Sequence, residues 1–401
     1  MEGKNHHQGG TMTTRIVCAV CFLAFSFLWL YWFQGDLLAV AQHALSGGVT
    51  HYDRTVGAII ITLVLFLLQL AVHAITRLSR RTHALTYVPS FLALAFLSDI
   101  SISATGGVEV GHLWPLLVGV FVLWIGAVWL SKQMLPFSDG DKQPTGLFSA
   151  RTWMNLAQLA VMMLFVAAVG NTNAVAHFRA HAETALLRGD NREAMRVGWE
   201  SYETDPQLTM LRAFALSREG LMGEKLFCYP IAGRGADLLP MREAPLLLPA
   251  DSIWRHLGGK PGSPMSEKRF YLLLEHDSLA KPAVADYVLC SRLIDRDLEG
   301  FVRLLPKYYG GDYKSPSTES LPRHYREALV LYDHLQHNGV PSFTGDLQSV
   351  GGDLQSPADE ALSQEYEQLQ ERLAQYPEGS EQQLQLLENY RNTYWYYYSK
   401  K

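Results

Sequence analysis

The sequence predicts an all-α protein in two parts: an N-terminal bundle of about five transmembrane helices, followed by an irregular α-α repeat domain. Five apolar segments lie within the first 170 residues, and no comparable segment follows them. A helix that crosses a bilayer needs about 20 mostly apolar residues, and each segment comes close to that length. The remaining chain is polar, with apolar residues at helical spacing, which predicts amphipathic helices.

The membrane part is predicted to occupy residues 15–170, after a disordered cytoplasmic N-terminus at 1–14. The predicted spans are 16–33, 56–75, 84–102, 113–130 and 153–170. The third span is the least regular, because it contains Pro89 and ends near Asp99. Proline is tolerated in membrane helices where neighbouring groups satisfy the freed carbonyl.

Flanking charges predict the orientation. Of the nine Lys and Arg residues before position 171, eight would lie on one side of these spans. The eight are Lys4, Arg15, Arg77, Arg80, Arg81, Lys132, Lys142 and Arg151, and the exception is Arg54. Basic residues favour the cytoplasmic side, so the N-terminus is predicted inside and residues 171–401 outside. If the third span fails, the parity reverses and residues 171–401 become cytoplasmic.

Composition narrows the partners of the second part. Residues 171–401 carry 25 basic and 32 acidic side chains, which argues against nucleic acid as a partner, since phosphate binding needs a basic surface.

Cys18 and Cys21 lie in an apolar span that lacks the polar setting of a redox pair. Cys228 and Cys290 could form a disulfide if their domain is outside the cytoplasm, and the sequence leaves that pairing open.

The soluble part begins with a helix–turn–helix pattern over residues 174–202. Gly189 marks the turn, Ala194 is small enough for two helices to approach, and Asp205-Pro206 closes the unit. This punctuation resembles the tetratricopeptide (TPR) repeat, and later helix pairs are less regular. Residues 341–357, which repeat Gly-Asp-Leu-Gln-Ser, predict a flexible loop. The aromatic run 394–398 is expected to cap the helices or to contact a membrane interface.

Three segments resemble an uncharacterised family of multi-pass membrane proteins of Bacteroidota-type bacteria. They are Leu226–Pro230, Leu321–Ala328 and the aromatic run 394–398. The resemblance implies the same architecture, with the membrane part in the bacterial inner membrane and the helical domain in the periplasm. It implies no activity.

Motifs that select an enzyme class are missing from the sequence. There is no Gly-x-Ser-x-Gly elbow to select a nucleophile, and neither Gly258-Gly259-Lys260 nor Gly233-Arg234-Gly235 has the spacing of a phosphate loop. His177 and His181 have a spacing compatible with metal ligands, but a surface role is the preferred interpretation. We predict no metal and no cofactor.

Two functional hypotheses remain. The first is a membrane-anchored scaffold that presents a helical repeat domain to a protein partner, with a groove that includes Arg212, Tyr287, Arg292 and Tyr325. The alternative is a membrane enzyme or transporter subunit acting on lipid-linked or envelope glycan substrates, with a polar cavity near Asp99, Glu109 and His112. The scaffold is favoured, because repeat domains mostly bind and the predicted spans lack deeply placed ionisable groups.

Overall fold

The computed structural model divides into two compact units, Met1–Ala180 and His181–Lys401, called here the N-terminal and C-terminal units. It describes residues 3–102, 108–110, 113–133, 149–241, 245–249, 251–309, 321–337, 360–377 and 379–400. The predicted flexible loop at 341–357 lies outside these residues. Apart from one short antiparallel hairpin, every regular element in the described chain is helical. The all-α prediction is therefore confirmed in its coarse form.

The N-terminal unit consists of helices around one apolar core. In chain order its elements are α1 (Gly3–Leu28), a π-helical turn (Trp29–Phe33), α2 (Gly35–Ser46), α3 (Arg54–Thr76), a 3-10 segment (Arg80–Tyr87), α4 (Val88–Ser98), β1 (Ile100–Ile102), β2 (Val108–Val110), α5 (Trp114–Gln133) and α6 (Ala150–Val169). The two strands pair in antiparallel register, with Ser101 opposite Glu109. Helix α7 (Ala174–Leu187) contains the boundary between the two units.

Among the described residues, four helices are long and apolar enough to cross a membrane. They cover Met12–Phe33, Arg54–Thr76, Trp114–Gln133 and Ala150–Val169, which match four of the five predicted spans. Large apolar side chains on these helices face outward; Leu123 and Leu164 are 73% and 70% exposed. Such exposure is costly in water and favourable in lipid, so the unit is consistent with a membrane protein.

The predicted span 84–102 does not form one long helix, so exactly five helical spans are not confirmed. The 3-10 segment covers its start, α4 has 11 residues, and the chain then enters β1. Pro89 explains the change, because it lies in the first turn of α4, where a residue without an N–H is tolerated. Before that turn the backbone follows the tighter 3-10 geometry instead.

The 3-10 segment and α4 together, Arg80–Ser98, are called here the broken segment. The broken segment packs in the core of the N-terminal unit, where polar contacts hold it in apolar surroundings. Asn155 Oδ1 on α6 accepts a hydrogen bond from Ala84 N (2.7 Å). Gln69 Nε2 on α3 donates to Thr86 Oγ1 (2.9 Å). Where the surroundings hold no water, side chains such as these satisfy backbone and hydroxyl groups that a regular helix would satisfy itself.

The broken segment runs alongside α6 in the same direction. Near its start it lies beside the second turn of α6, where Ala84 N donates to Asn155 Oδ1. It ends just beyond the last turn of α6, where Ser98 O accepts a hydrogen bond from Asn171 N (2.7 Å). The segment therefore covers nearly the same depth of the unit as the long helix next to it.

Helix α1 begins at Gly3 and so includes residues 3–14 of the N-terminus that was predicted to be disordered. Once a helix is nucleated, each further residue adds a hydrogen bond at little cost, so the apolar helix can extend into the polar residues before it.

The C-terminal unit is an irregular assembly of short helices. After α7 come α8 (Asn191–Arg196), α9 (Pro206–Arg218), α10 (Met222–Lys225), two 3-10 turns (Leu226–Cys228 and Gly235–Leu238), α11 (Asp251–Leu257), α12 (Glu267–His276), α13 (Ala283–Ile294), α14 (Leu298–Tyr309), α15 (Arg323–His337), α16 (Glu360–Ala374), α17 (Glu381–Glu388) and α18 (Tyr394–Ser399). The helices range from 4 to 15 residues, and a TPR-like repeat is not confirmed.

The first helical hairpin has its turn and its closing residues where the sequence predicted them. Gly189 has a positive φ of 79° at the turn after α7, a conformation that glycine adopts without strain. Asp190 and Asp205 cap α8 and α9, each accepting from a backbone N–H three residues later. Ala194 is fully buried, as the close approach of two helices requires.

The long segment between α10 and α11 is packed although it has few helical turns. The carboxylate of Glu183 on α7 is 1% exposed and accepts hydrogen bonds from the backbone N–H groups of Leu246, Leu247 and Leu248. Three donors compensate the burial of the charge and fix the loop on the helix.

We expect Asn155→Leu to destabilise the N-terminal unit by about 1–3 kcal/mol, because it removes a buried hydrogen-bond partner of the broken segment. Thermal unfolding of the full chain in detergent would measure the loss. The matched control is Met154→Ala on the same helix, whose side chain is 51% exposed. Equal stability of the two variants would contradict the role given to Asn155.

Candidate functional site

A cluster of charged and polar side chains is buried in the C-terminal unit around Glu327. The Glu327 cluster consists of Cys228, Arg323, His324, Glu327 and Tyr394. Its centre is α15, where His324 and Glu327 are three residues apart and so share one helix face. Glu224 Oε2 accepts a hydrogen bond from Arg323 N (2.6 Å), which places a carboxylate at the helix N-terminus, where it is electrostatically favoured.

The carboxylate of Glu327 has three donors. His324 Nδ1 (2.9 Å) and Tyr394 N (2.7 Å) approach Oε2, while Arg323 Nε donates to Oε1 (2.8 Å). The Glu327 side chain has no exposed surface. Burial by itself would raise the pKa of Glu327, but the hydrogen bond and charge of His324, with the other two donors, hold the pKa below its ordinary value. Glu327 is therefore an anion inside the protein.

His324 joins this carboxylate to a thiol. Its Nδ1 faces Glu327, and its Nε2 lies 3.7 Å from Cys228 Sγ. Burial opposes the charged imidazolium, but hydrogen bonds to Cys228 and Glu327 and the Glu327 charge outweigh it and raise the pKa of His324 to about 9. The imidazole is thus protonated at neutral pH, and both of its nitrogens donate.

The cluster has the connectivity of an activated nucleophile. A thiol contacts an imidazole, and the imidazole is oriented by a carboxylate. This order of groups is the general arrangement for nucleophilic catalysis by cysteine. Cys228 is partly exposed, whereas His324 and Glu327 are fully buried. Cys228 is therefore the member of the trio that has solvent-exposed surface.

The aromatic segment beside the cluster is part of the core. Tyr394 and Trp395 are 0% and 3% exposed. Trp395 Nε1 donates to Glu327 O (2.8 Å), and Tyr394 OH donates to Leu293 O (3.1 Å). Phe227 stacks edge-on against Tyr394 with ring centroids 4.9 Å apart. Of the two expectations for this segment, packing as a cap is confirmed.

The four residues predicted to line a groove do not form an exposed surface. Tyr287 and Tyr325 are fully buried, and Arg212 is 1% exposed. Arg212 donates to the carbonyls of Val197 and Gly198, so it organises the turn after α8. Sequence spacing placed these side chains on helices correctly but could not tell which helix face is covered.

Arg292 is the one member of that set with appreciable exposure, at 18% of its side chain, and it pairs with Asp297. A ligand at the surface of the C-terminal unit would reach this side chain alone among the four.

The polar residues predicted near a membrane cavity are described only in part. Asp99 is 8% exposed at the end of α4, and its Oδ2 accepts a hydrogen bond from Leu113 N (3.3 Å). Glu109 lies in β2, but its side chain is not described, and His112 lies outside the described residues. Asp99 is therefore a carboxylate at a helix end that accepts a hydrogen bond from the backbone.

The two cysteines of the C-terminal unit are both free thiols in the structure. Cys228 contacts His324 on α15. Cys290 contacts the hydroxyl of Tyr325, the residue that follows His324 (3.5 Å). Consecutive residues on a helix point about 100° apart, so the two sulfurs face different sides of α15.

Sequence reasoning did not find the Glu327 cluster. Cys228 and His324 are 96 residues apart, and Tyr394 is a further 67 residues beyond Glu327. No spacing rule connects such distant positions. One local signal was available, since His324 and Glu327 lie three apart near the start of a predicted helix, where they can interact.

Comparison with known proteins gives a family match over part of the chain and no activity. Residues 265–401 match the sequence model of a family of unknown function (DUF6057). The match includes α15 and the aromatic segment and excludes Cys228. Comparisons with curated proteins and with solved structures give no match. The expected resemblance to an uncharacterised family is thus confirmed for this region.

We expect Trp395→Ala to destabilise the C-terminal unit by about 3–5 kcal/mol, because it leaves a cavity and removes a hydrogen bond to Glu327 O. Urea-dependent proteolysis of the full chain in detergent would measure it. Tyr376→Ala, at a side chain 40% exposed, is the control and should cost less than about 1 kcal/mol. A tolerant Trp395→Ala variant would show that the aromatic segment is dispensable.

We also expect stability to fall as pH rises from 6.5 to 9. His324 has a higher pKa in the folded chain, about 9, than its ordinary 6.5. Its contribution is therefore complete below pH 6.5 and is lost as pH rises through 9, with a magnitude of about 3 kcal/mol. The measurement is the difference in unfolding free energy between wild type and His324→Gln at both pH values. His334→Gln, on the same helix, should keep the wild-type pH dependence.

Proposed function

We propose that the chain is a bacterial inner-membrane protein that crosses the bilayer five times and presents its C-terminal unit, on the extracytoplasmic side, to a protein partner. The observation that carries this proposal is the path of the broken segment Arg80–Ser98. Its contacts follow α6 from its second turn to just beyond its last turn, so the segment traverses nearly the same depth.

The length of the broken segment supports a crossing. Thr82 departs from helical geometry inside the 3-10 segment, so the continuous helical part covers residues 83–98. Its five 3-10 residues and 11 α-helical residues together rise about 26 Å, which approaches the roughly 30 Å of a hydrocarbon core. An α-helix of the same 16 residues would rise only about 24 Å, so the 3-10 residues lengthen a segment that contains proline.

Charge supports the orientation. Thr14 and Thr152 hydroxyls lie 2.8 Å apart, near the start of the apolar span Met12–Phe33 and in the first turn of α6. Thr82 and Ser131 hydroxyls lie 3.0 Å apart. Basic residues adjoin these contacts at one end of the helices: Arg15, Arg77, Arg81, Lys132 and Arg151. Basic residues favour the cytoplasm, so this end faces inside and residues after α6 emerge outside.

Surface chemistry supports a protein partner for the C-terminal unit. Trp199 and Tyr202 are 39% and 59% exposed, and the Arg391 guanidinium lies 4.4 Å from the Tyr202 ring centroid. Trp, Tyr and Arg are the residues enriched at the energetic centres of protein interfaces. The acidic balance of residues 171–401 continues to disfavour nucleic acid.

The topology is tested in the full chain with two epitope tags, one inserted in residues 134–148 and one after Lys401. We expect protease added to intact spheroplasts to remove the tag after Lys401 and to spare the internal tag until the membrane is permeabilised. A protected tag after Lys401 would mean that the broken segment does not cross, and it would contradict the proposal.

The partner is tested by mild cross-linking in native membranes and capture through the tag after Lys401. We expect Trp199→Ala combined with Tyr202→Ala to reduce recovery of a stoichiometric protein at least about tenfold, as loss of two interface anchors predicts. Leu272→Ala, at an exposed apolar residue elsewhere in the unit, is the control. Equal recovery from both variants, or no partner, would contradict protein binding at this surface.

A further inference from the structure

Cys228 is the thiol of the Glu327 cluster, and it is more exposed than the other cysteine of the C-terminal unit. Cys228 ends a 3-10 turn and is partly exposed, whereas Cys290 is fully buried. A buried thiol behaves as a small apolar side chain, but a thiol at the surface is open to reaction. The contacts of Cys228 decide which description applies.

The hydrogen bond between His324 and Glu327 orients the imidazole so that its second N–H points at the Cys228 sulfur. His324 Nδ1 donates to the Glu327 carboxylate, so in the imidazolium the Nε2–H points along the 3.7 Å contact to Sγ. This places a hydrogen-bond donor that carries positive charge beside the sulfur, which is the arrangement found around activated cysteines. Sγ also lies 3.7 Å from Asn392 O, to which a neutral thiol would donate.

Several charged groups surround the thiol. Arg323 pairs with Glu327 and also interacts electrostatically with Glu365 on α16 and with the thiol itself. Glu224 on α10 accepts a hydrogen bond from Arg323 N. The Glu327 carboxylate accepts three hydrogen bonds. Among these described groups, the His324 imidazole is the one that lies within 3.7 Å of the sulfur.

We propose that Cys228 is a reactive thiol that His324 activates as an ion-pair partner and Glu327 positions through His324, and that it undergoes exchange with disulfides. This inference goes beyond the proposed binding function and does not depend on it. Glu327 acts as a positioning residue, since its carboxylate touches His324 and not sulfur.

The reaction balances without any further reagent. The Cys228 thiolate attacks one sulfur of a disulfide RS–SR, the new Cys228–S bond forms, and the RS–SR bond breaks. The leaving group departs as the thiolate RS⁻, and its later protonation by solvent is a separate step. One disulfide and one thiolate enter, and one mixed disulfide and one thiolate leave.

The test compares the folded chain with the same chain unfolded in urea. At pH 6.5 an ordinary cysteine is only about 1% ionised, because its pKa is about 8.5. We expect iodoacetamide to alkylate Cys228 in the folded full-length protein in detergent at least about tenfold faster than in the unfolded chain, as followed by mass spectrometry of the Cys228 peptide. Glutathione disulfide, used as the exchange probe, should add one glutathionyl group to the same peptide.

Three variants separate activation from simple exposure. Cys228→Ser should abolish both modifications of that peptide, and His324→Gln should lower the folded rate to the unfolded value or below. His334→Gln should keep the wild-type rate. The folded-to-unfolded comparison in wild type needs no variant, so a misfolded His324→Gln protein leaves the test intact. A folded rate equal to or below the unfolded rate would overturn the proposal and make the contact of Cys228 with His324 purely structural.

Discussion

The buried carboxylate of Glu327 is the constraint around which the C-terminal unit is organised. Removing an anion from water is costly unless it is paired and hydrogen-bonded, and three donors from two chain segments meet that requirement. One donor is the backbone N–H of Tyr394, so the charge also fixes where the aromatic segment begins. Breaking the set would leave an uncompensated charge in the core.

In the N-terminal unit, neutral polar groups in apolar surroundings are likewise hydrogen-bonded. Ser90 Oγ on α4 donates to Leu65 O on α3 (2.7 Å), and Trp124 Nε1 on α5 donates to Leu85 O (2.8 Å). These bonds attach the broken segment to helices on more than one side. An irregular backbone is tolerated in apolar surroundings where other helices cover it and supply partners.

Much of this architecture was predictable from sequence because it depends on local patterns. Four long apolar helices follow from hydropathy alone, and the turn at Gly189 and the cap at Asp205 follow from residue preference. The break in the span at 84–102 did not follow, since its stability comes from Asn155 and Gln69, which lie on other helices. The groove prediction had the same weakness, because helix periodicity does not reveal what covers Tyr287. The cluster at Cys228 joins residues too far apart for any local rule.

Contact between Cys228 and the backbone of Asn392, 164 residues later in the chain, has a consequence for biosynthesis. The 3-10 turn at Leu226–Cys228 packs on aromatic rings that are translated only after most of the unit has left the ribosome. Contacts of such large sequence separation form slowly, since a long loop must close first. Until then the surface that Tyr394 and Trp395 cover in the folded chain lacks these partners. The core of this unit is therefore completed only after nearly all of residues 181–401 have been synthesised.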